Sequence, residues 1–172
     1  PTTSTWTKTR HKPRQTGQHM TAQTDQKRPG SRRIIISVDA MGGDAGPSAV
    51  VAGIVKSAEK NPDIGFILHG PQQQLEKLVS RQRTLEGRVE YRDVADVVTM
   101  EDKPSHVMRN GKGTSMWSAL DSVRSREADG AVSCGNTGAL MALSMLRLRK
   151  LPGVNRPAIA VLWPSRNPQG FN

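Results

Sequence analysis

Residues 128–149, ADGAVSCGNTGALMALSMLRLR, decide the fold. Gly130–Cys134 is a short apolar run of strand character, and it breaks at Gly135-Asn136-Thr137-Gly138. A helical spacing follows, with Leu140, Leu143, Met145, Leu146 and Leu148 apolar and Arg147 and Arg149 in the last turn. Strand, glycine turn and helix, in that order, aim unpaired backbone N–H groups at whatever sits before the helix. Asn136 or Thr137 can cap the helix and still offer a donor to a bound oxyanion. Gly135 and Gly138 carry no Cβ, so an anion can approach the backbone closely. The turn therefore reads as a phosphate-sized anion site. The competing reading is an ordinary strand-to-helix loop with an N-cap.

Outward from this stretch, strands and helices alternate. Ile34–Val38 (IIISV) is a buried-strand signal. It leads into Asp39-Ala-Met-Gly-Gly-Asp44-Ala-Gly-Pro47, where Pro47 suits the first helical position. Val50, Val51, Ile54, Val55 and Ala58 form one helical face, and Asn61-Pro62 stops that helix. Ile64–Leu68 is the next strand, ended by His69-Gly70-Pro71, and Gln72–Gln82 a modest helix. Arg88–Tyr91 and Val94–Val98 supply further strand-like pieces. Pro104–Asn110 and Thr114–Ser125 read as helices, and Ala158–Leu162 (AIAVL) as another buried strand. Strands apolar on both faces and separated by helices imply a three-layer α/β/α sandwich around a mostly parallel sheet. Ligands of such sheets sit beyond the carboxyl ends of the strands. The loops at Asp39–Gly46 and Cys134–Gly138 should share that edge.

Composition narrows the function. The 172 residues carry a formal charge of +10, but +7 of it falls in residues 1–33, which hold eight basic residues against Asp25. Basicity thus belongs to a tail of Thr, Gln, Lys, Arg and Pro, expected to be disordered, and not to a folded nucleic-acid face. That tail reads as a leader or a mis-called upstream sequence, with Met20 a possible start; a nucleic-acid-binding tail is the low-ranked alternative. The folded part is residues 34–172. Aromatic residues make up only 3%, so base-stacking surfaces are not expected. A single cysteine, Cys134, excludes an internal disulfide framework or a cysteine-rich zinc site, and a buried strand-end thiol is the expected case. No stretch reaches the run of about 18 apolar residues that a spanning helix needs. The chain stops at Gln169-Gly170-Phe171-Asn172, just after the last strand signal, and a C-terminal part is expected to be missing; a loose end on a complete small domain is the alternative.

Asp39, Gly42, Gly43 and Asp44 form a strand-mouth loop whose glycine spacing fits neither a dinucleotide fingerprint nor a P-loop. Two carboxylates there could serve Mg²⁺ or proton transfer, or only brace the loop through backbone N–H groups. Lys103, Arg109 and Lys112 can neutralise a phosphate or a developing oxyanion, and Ser115 and Thr114 offer hydroxyls at another helix start. The alternative pairs Lys103 and Arg109 with Glu101 or Asp102 as solvated charges. His106 is either a general acid or base or a surface residue at helical spacing from Asp102.

Four segments then come in a telling order: SVDAMGGDAGP (37–47), MEDKP…R…GKGTSM (100–116), SCGNTGALMAL (133–143) and LPGVNRPAIA (151–160). Together they resemble the bacterial phosphate acyltransferase family of phospholipid synthesis, from about Ile34 to the last residue. The resemblance implies transfer of a long-chain acyl group from acyl carrier protein to inorganic phosphate, with the acyl-phosphate passing to a membrane glycerol-phosphate acyltransferase. It also implies a cytoplasmic homodimer with peripheral membrane contact only, no nicotinamide or other cofactor, no metal, and a fold like that of isocitrate and isopropylmalate dehydrogenases and phosphotransacetylase. Phosphotransacetylase-like or dehydrogenase-like chemistry on that architecture is the runner-up. On this resemblance Lys103, His106, Arg109, Lys112, Ser115 and Asn136 are the expected catalytic residues, and Gly135, Asn136, Thr137 and Gly138 the phosphate cradle. In Gly111-Lys112-Gly113-Thr114-Ser115-Met116, glycines replace one lysine and one acid of the commoner family run, and Thr one Ser. The family's later glycine-rich segments are absent, so this stretch alone is expected to lack part of the machinery.

Overall fold

A computed structural model describes residues 33–160. Four strands form one fully parallel sheet: β1 (Ile34–Asp39), β2 (Ile64–Gly70), β3 (Val89–Asp93) and β4 (Gly130–Ser133), in the order β3-β2-β1-β4. The helices are α1 (Gly46–Lys60), α2 (Gln72–Val79), α3 (Pro104–Asn110), α4 (Ser115–Arg124) and α5 (Thr137–Arg147), with a 3-10 turn at Arg83–Leu85. The basic tail lies outside the described residues, apart from Arg33.

The register follows from the period-two alternation of the strands. Val38, Phe66 and Leu68 turn toward α1 and α2, where Val51, Ile54, Ala58, Leu75, Val79 and Leu85 complete one apolar core. A second cluster joins Val107, Met116, Leu120, Ala139 and Leu143, packing α3, α4 and α5 together. Arg88 fastens the end of α1, donating to the carbonyls of Ala58 (2.9 Å) and Asn61 (2.6 Å) and, from both Nε and Nη2, to that of Ile64.

The sheet face under α4 is not apolar throughout, as the run of strand residues suggests. Ser37 and His69 are completely buried there. Ser37 Oγ donates to the Ala119 carbonyl (2.9 Å) and lies 2.8 Å from His69 Nε2; His69 Nδ1 lies 2.8 Å from Ser118 Oγ. Ser37 has one proton, already given to Ala119, so it accepts from Nε2–H, and Nδ1 accepts from Ser118. His69 is thereby held as the neutral Nε2–H tautomer. Its pKa is lowered to about 4, first by burial, then by the nearby Arg92 charge, against a smaller opposing pull from Glu127. His69 belongs to β2, which runs to Gly70, two residues beyond the expected strand end, because this network gives its imidazole a buried seat.

Two strand expectations fail. Val94–Val98 makes only an isolated bridge, Asp96 to Thr114, and no strand. Ala158–Ala160 is irregular and exposed, with Ile159 at 59% exposure; Val161 and Leu162 lie outside the described residues. Apolar composition marks a strand only where a neighbouring strand or helix takes up the side chains, and among the described residues none covers this run.

Candidate functional site at the carboxyl edge of the sheet

Chain direction brings two helix starts to one edge. α4 begins beside Asp96, past the end of β3, and its exit returns to the opposite edge, where Asp129 N donates to Ile35 O (2.8 Å). α5 begins directly after β4. The N-termini of α4 and α5 therefore both lie at the carboxyl ends of the strands, with the loop after β1.

That loop and the loop after β4 are in backbone contact. Asp39 is 2% exposed; its Oδ1 accepts from Met41 N (3.3 Å) and its Oδ2 from Ser133 Oγ (2.7 Å). Ser133 Oγ in turn accepts from Gly135 N (3.1 Å). A Cβ on Gly42 would stand 2.7 Å from Gly135 N and 2.9 Å from Asp39 Oδ2, so only glycine fits. Gly43 adopts φ +96°, and a side chain there would meet the Cys134 carbonyl at 2.9 Å. Asp39 thus bonds within the two loops, to Met41 N and Ser133 Oγ, and Asp44 is exposed. On the α1 side of this mouth lies an apolar cavity of about 610 Å³, lined in part by Val38, Ala49, Val50, Phe66 and Val132 and flanked by Cys134. Cys134 is exposed, against the expectation of a buried thiol, because β4 is the outer strand of the described sheet.

Asn136 is the N-cap of α5: its Oδ1 accepts from Ala139 N (3.0 Å). Its Nδ2 is committed too, facing the carbonyls of Thr99 (3.3 Å), Met100 (3.1 Å) and Asp102 (2.9 Å). The side chain thus ties the 99–102 turn to the helix start and leaves no donor over for a ligand. The backbone is different. Gly135 N is taken by Ser133, but the N–H groups of Asn136, Thr137 and Gly138 meet no partner among the described residues. Thr137 is exposed, and Pro104 packs over Gly138, where a Cβ would meet its Cγ at 2.9 Å.

The Asn136 clasp brings Lys103 and Pro104, at the start of α3, beside this helix head. Asp102 accepts from Thr99 N (2.8 Å) and Thr99 Oγ1 (3.0 Å), which hold its carboxyl below the usual range; nearby His106 adds a smaller pull in the same direction. Lys103, His106, Arg109 and Lys112 are exposed, and among the described residues none of the three cations forms an ion pair with Glu101 or Asp102. α3 carries Lys103 at its start and Arg109 in its last turn, and Lys112 follows in the turn to α4. Thr114 caps α4, accepting from Trp117 N (3.3 Å) while donating to Gly111 O (2.7 Å), so its hydroxyl is used internally. Ser115 is fully buried; its N–H goes to Asp96 O (2.8 Å), and its Oγ has no partner among the described residues. A buried hydroxyl left unsatisfied costs free energy and marks a place to look for a ligand.

Sequence reasoning passed over Ser133. Its signal was present: a serine closing a strand immediately before a glycine turn, in the register where a neighbouring strand ends in aspartate. No helix among the described residues is long and apolar enough to cross a membrane.

The model of the family described as "Fatty acid synthesis protein" matches residues 34–172. Curated relatives named phosphate acyltransferase are similar over most of the chain. That of Ruegeria sp. (strain TM1040) is 79% identical over 153 residues, which is 89% of this chain and 41% of the relative. That of Ruegeria pomeroyi is 75% identical over the same shares. That of Paracoccus denitrificans is 73% identical over 139 residues, 81% of this chain and 38% of the relative. The chain thus spans about two fifths of the length of these relatives.

Proposed function

The chain belongs to the fatty acid synthesis protein family, and on that premise we propose that it acts in an acyltransferase that moves a long-chain acyl group from acyl carrier protein to inorganic phosphate. The observation that supports this best is the trio of N–H groups at Asn136, Thr137 and Gly138, without a partner among the described residues and set on a helix start. Such a start favours an anion by both its free donors and its dipole.

In this reading phosphate rests on those amides, with Lys103 near the helix head and Arg109 and Lys112 supplying positive charge from the surface. The Ser115 hydroxyl, without a partner among the described residues, is a further donor at the same sheet edge. The chemistry needs no protein nucleophile. A phosphate oxygen attacks the thioester carbonyl, the C–O bond forms, the C–S bond breaks, and the carrier's thiolate leaves and takes up a proton. Holding phosphate in line and partly stripped of water is the main help a protein can give. The donors stabilise the negative oxygen of the tetrahedral intermediate. The apolar cavity beside Cys134 gives the acyl chain a wall away from water. The exposed cations of residues 103–112 suit an acidic carrier domain, since complementary charge steers encounter. A homodimer in the cytoplasm, touching the membrane only to deliver acyl-phosphate to a glycerol-phosphate acyltransferase, completes the proposal.

The test is consumption of acyl carrier protein thioester by the protein with and without phosphate. Phosphate-dependent loss of thioester with formation of acyl-phosphate is the expected result. Turnover indifferent to phosphate refutes the reading.

A further inference from the structure

We infer that Ser133 is a positioning residue, a one-way link that lets the buried Asp39 carboxylate set the direction of the anion-binding amides. The inference rests on the phosphate reading of the α5 head.

The parallel register places Asp39 opposite Ser133 across the β1–β4 pair. Ser133 Oγ donates to Asp39 Oδ2 at 2.7 Å, a short bond to a buried carboxylate, and accepts from Gly135 N at 3.1 Å. A backbone N–H only donates, so Ser133 Oγ accepts from Gly135, and its single hydroxyl proton goes to Asp39 Oδ2. Fixing the Gly135 N–H inward toward Ser133 orients the first peptide of the turn. The next three N–H groups, at Asn136, Thr137 and Gly138, have no partner among the described residues. Asn136 pins the far side of the same turn by its cap to Ala139 N and its bonds to the 99–102 carbonyls. Gly42 lets the whole clasp close: a Cβ there would crowd Ser133 Oγ (2.8 Å), Asp39 Oδ2 (2.9 Å) and Gly135 N (2.7 Å) together. Ser133 therefore acts on a bound anion through the backbone and not by touching it, as outer partners do for metal ligands.

The experiment compares the unaltered chain with Ser133→Ala and Ser133→Thr by amide NMR. One readout is hydrogen exchange at Gly135 without ligand; the other is titration with inorganic phosphate, following the Asn136, Thr137 and Gly138 amides. Ser133→Ala should speed Gly135 exchange by about tenfold or more and weaken phosphate binding by about the same factor. Ser133→Thr, which keeps the hydroxyl, should restore both. Thermal midpoints recorded alongside separate loss of the link from loss of the fold, since a merely structural serine would change stability and leave the phosphate affinity of the folded fraction alone. Unchanged Gly135 exchange in Ser133→Ala overturns the inference, as does equal phosphate affinity in all three proteins. If the unaltered chain gives no phosphate response, the functional reading falls, and Gly135 exchange alone then decides whether Ser133 holds the turn.

Discussion

Acidification should weaken this fold through His69. Its imidazole is fully buried and held neutral by Ser37 and Ser118. Its pKa is about 4 in the folded chain against 6.5 in an unstructured one. Above pH 6.5 neither state carries the proton, and the residue contributes no pH dependence. As pH falls from 6.5 toward 4, the unfolded chain takes up a proton that the folded chain refuses, so stability declines with falling pH. That span, at about 1.4 kcal/mol per pH unit, amounts to a loss of about 3 kcal/mol, complete below about pH 4. This is a large share of the total stability of a domain this size. Urea unfolding at intervals from pH 7 to 4 measures it. Carboxylates such as Asp102 and Glu127, whose folded pKa values are lowered, also add acid sensitivity, lost as pH falls through their own range. The His69→Gln variant keeps those contributions and removes the imidazole, so the difference between the two pH profiles isolates His69. Profiles of equal slope between pH 6.5 and 4 would refute the reasoning. So would a His69 ring signal that titrates near 6.5 in the unaltered protein, a measurement that does not depend on the variant folding.

Three further outcomes follow from the site. Asn136→Asp preserves the capping oxygen and should suit the helix dipole, yet it sets a carboxylate oxygen against the carbonyls of Thr99, Met100 and Asp102; a loss of about 2 kcal/mol or more is expected in denaturant unfolding, where surface-cap reasoning alone predicts a gain. Ser115→Ala removes a buried hydroxyl that has no partner among the described residues, so stability should hold or rise by about 1 kcal/mol while the phosphate requirement for turnover increases; a marked drop in Tm would show that the hydroxyl is satisfied within the fold. Lys112→Glu lies on the exposed turn before α4 and should leave the unfolding midpoint unchanged while weakening carrier-thioester use, read as a raised KM for the carrier; an unchanged KM counts against its role.

Periodicity and punctuation made most of the architecture legible. Pro47 before the Val51, Ile54 and Ala58 stripe marked α1, Asn61-Pro62 ended it, and the glycine turn before Leu140 and Leu143 marked α5. The failures share a cause. Val94–Val98 and Ala158–Ala160 are apolar enough for strands, but strand pairing is decided by neighbours distant in sequence. His69 looked like turn punctuation because its partners, Ser37 and Ser118, lie 32 and 49 residues away. At the candidate site, residue types singled out the loop after β4, but not how each of its groups is bonded. Asn136 offered a donor on paper, and that donor is consumed by three carbonyls from a turn 34 to 37 residues earlier. Ser133 went unremarked because its task exists only once β1 and β4 lie side by side.

The pairing of Asp39 with Ser133 belongs to a ladder that runs back through Val38 and Val132, Ser37 and Ala131, to Ile36 and Gly130. Strand side chains alternate, so a slip of one residue anywhere along that ladder would swing Ser133 to the opposite face and disarm the mouth entirely. The centre thus inherits its tolerances from the sheet, while the cations of 103–112 sit on surface that the sheet does not govern. An engineer has room to alter charge there; at the mouth, every alteration is also an alteration of how two strands meet.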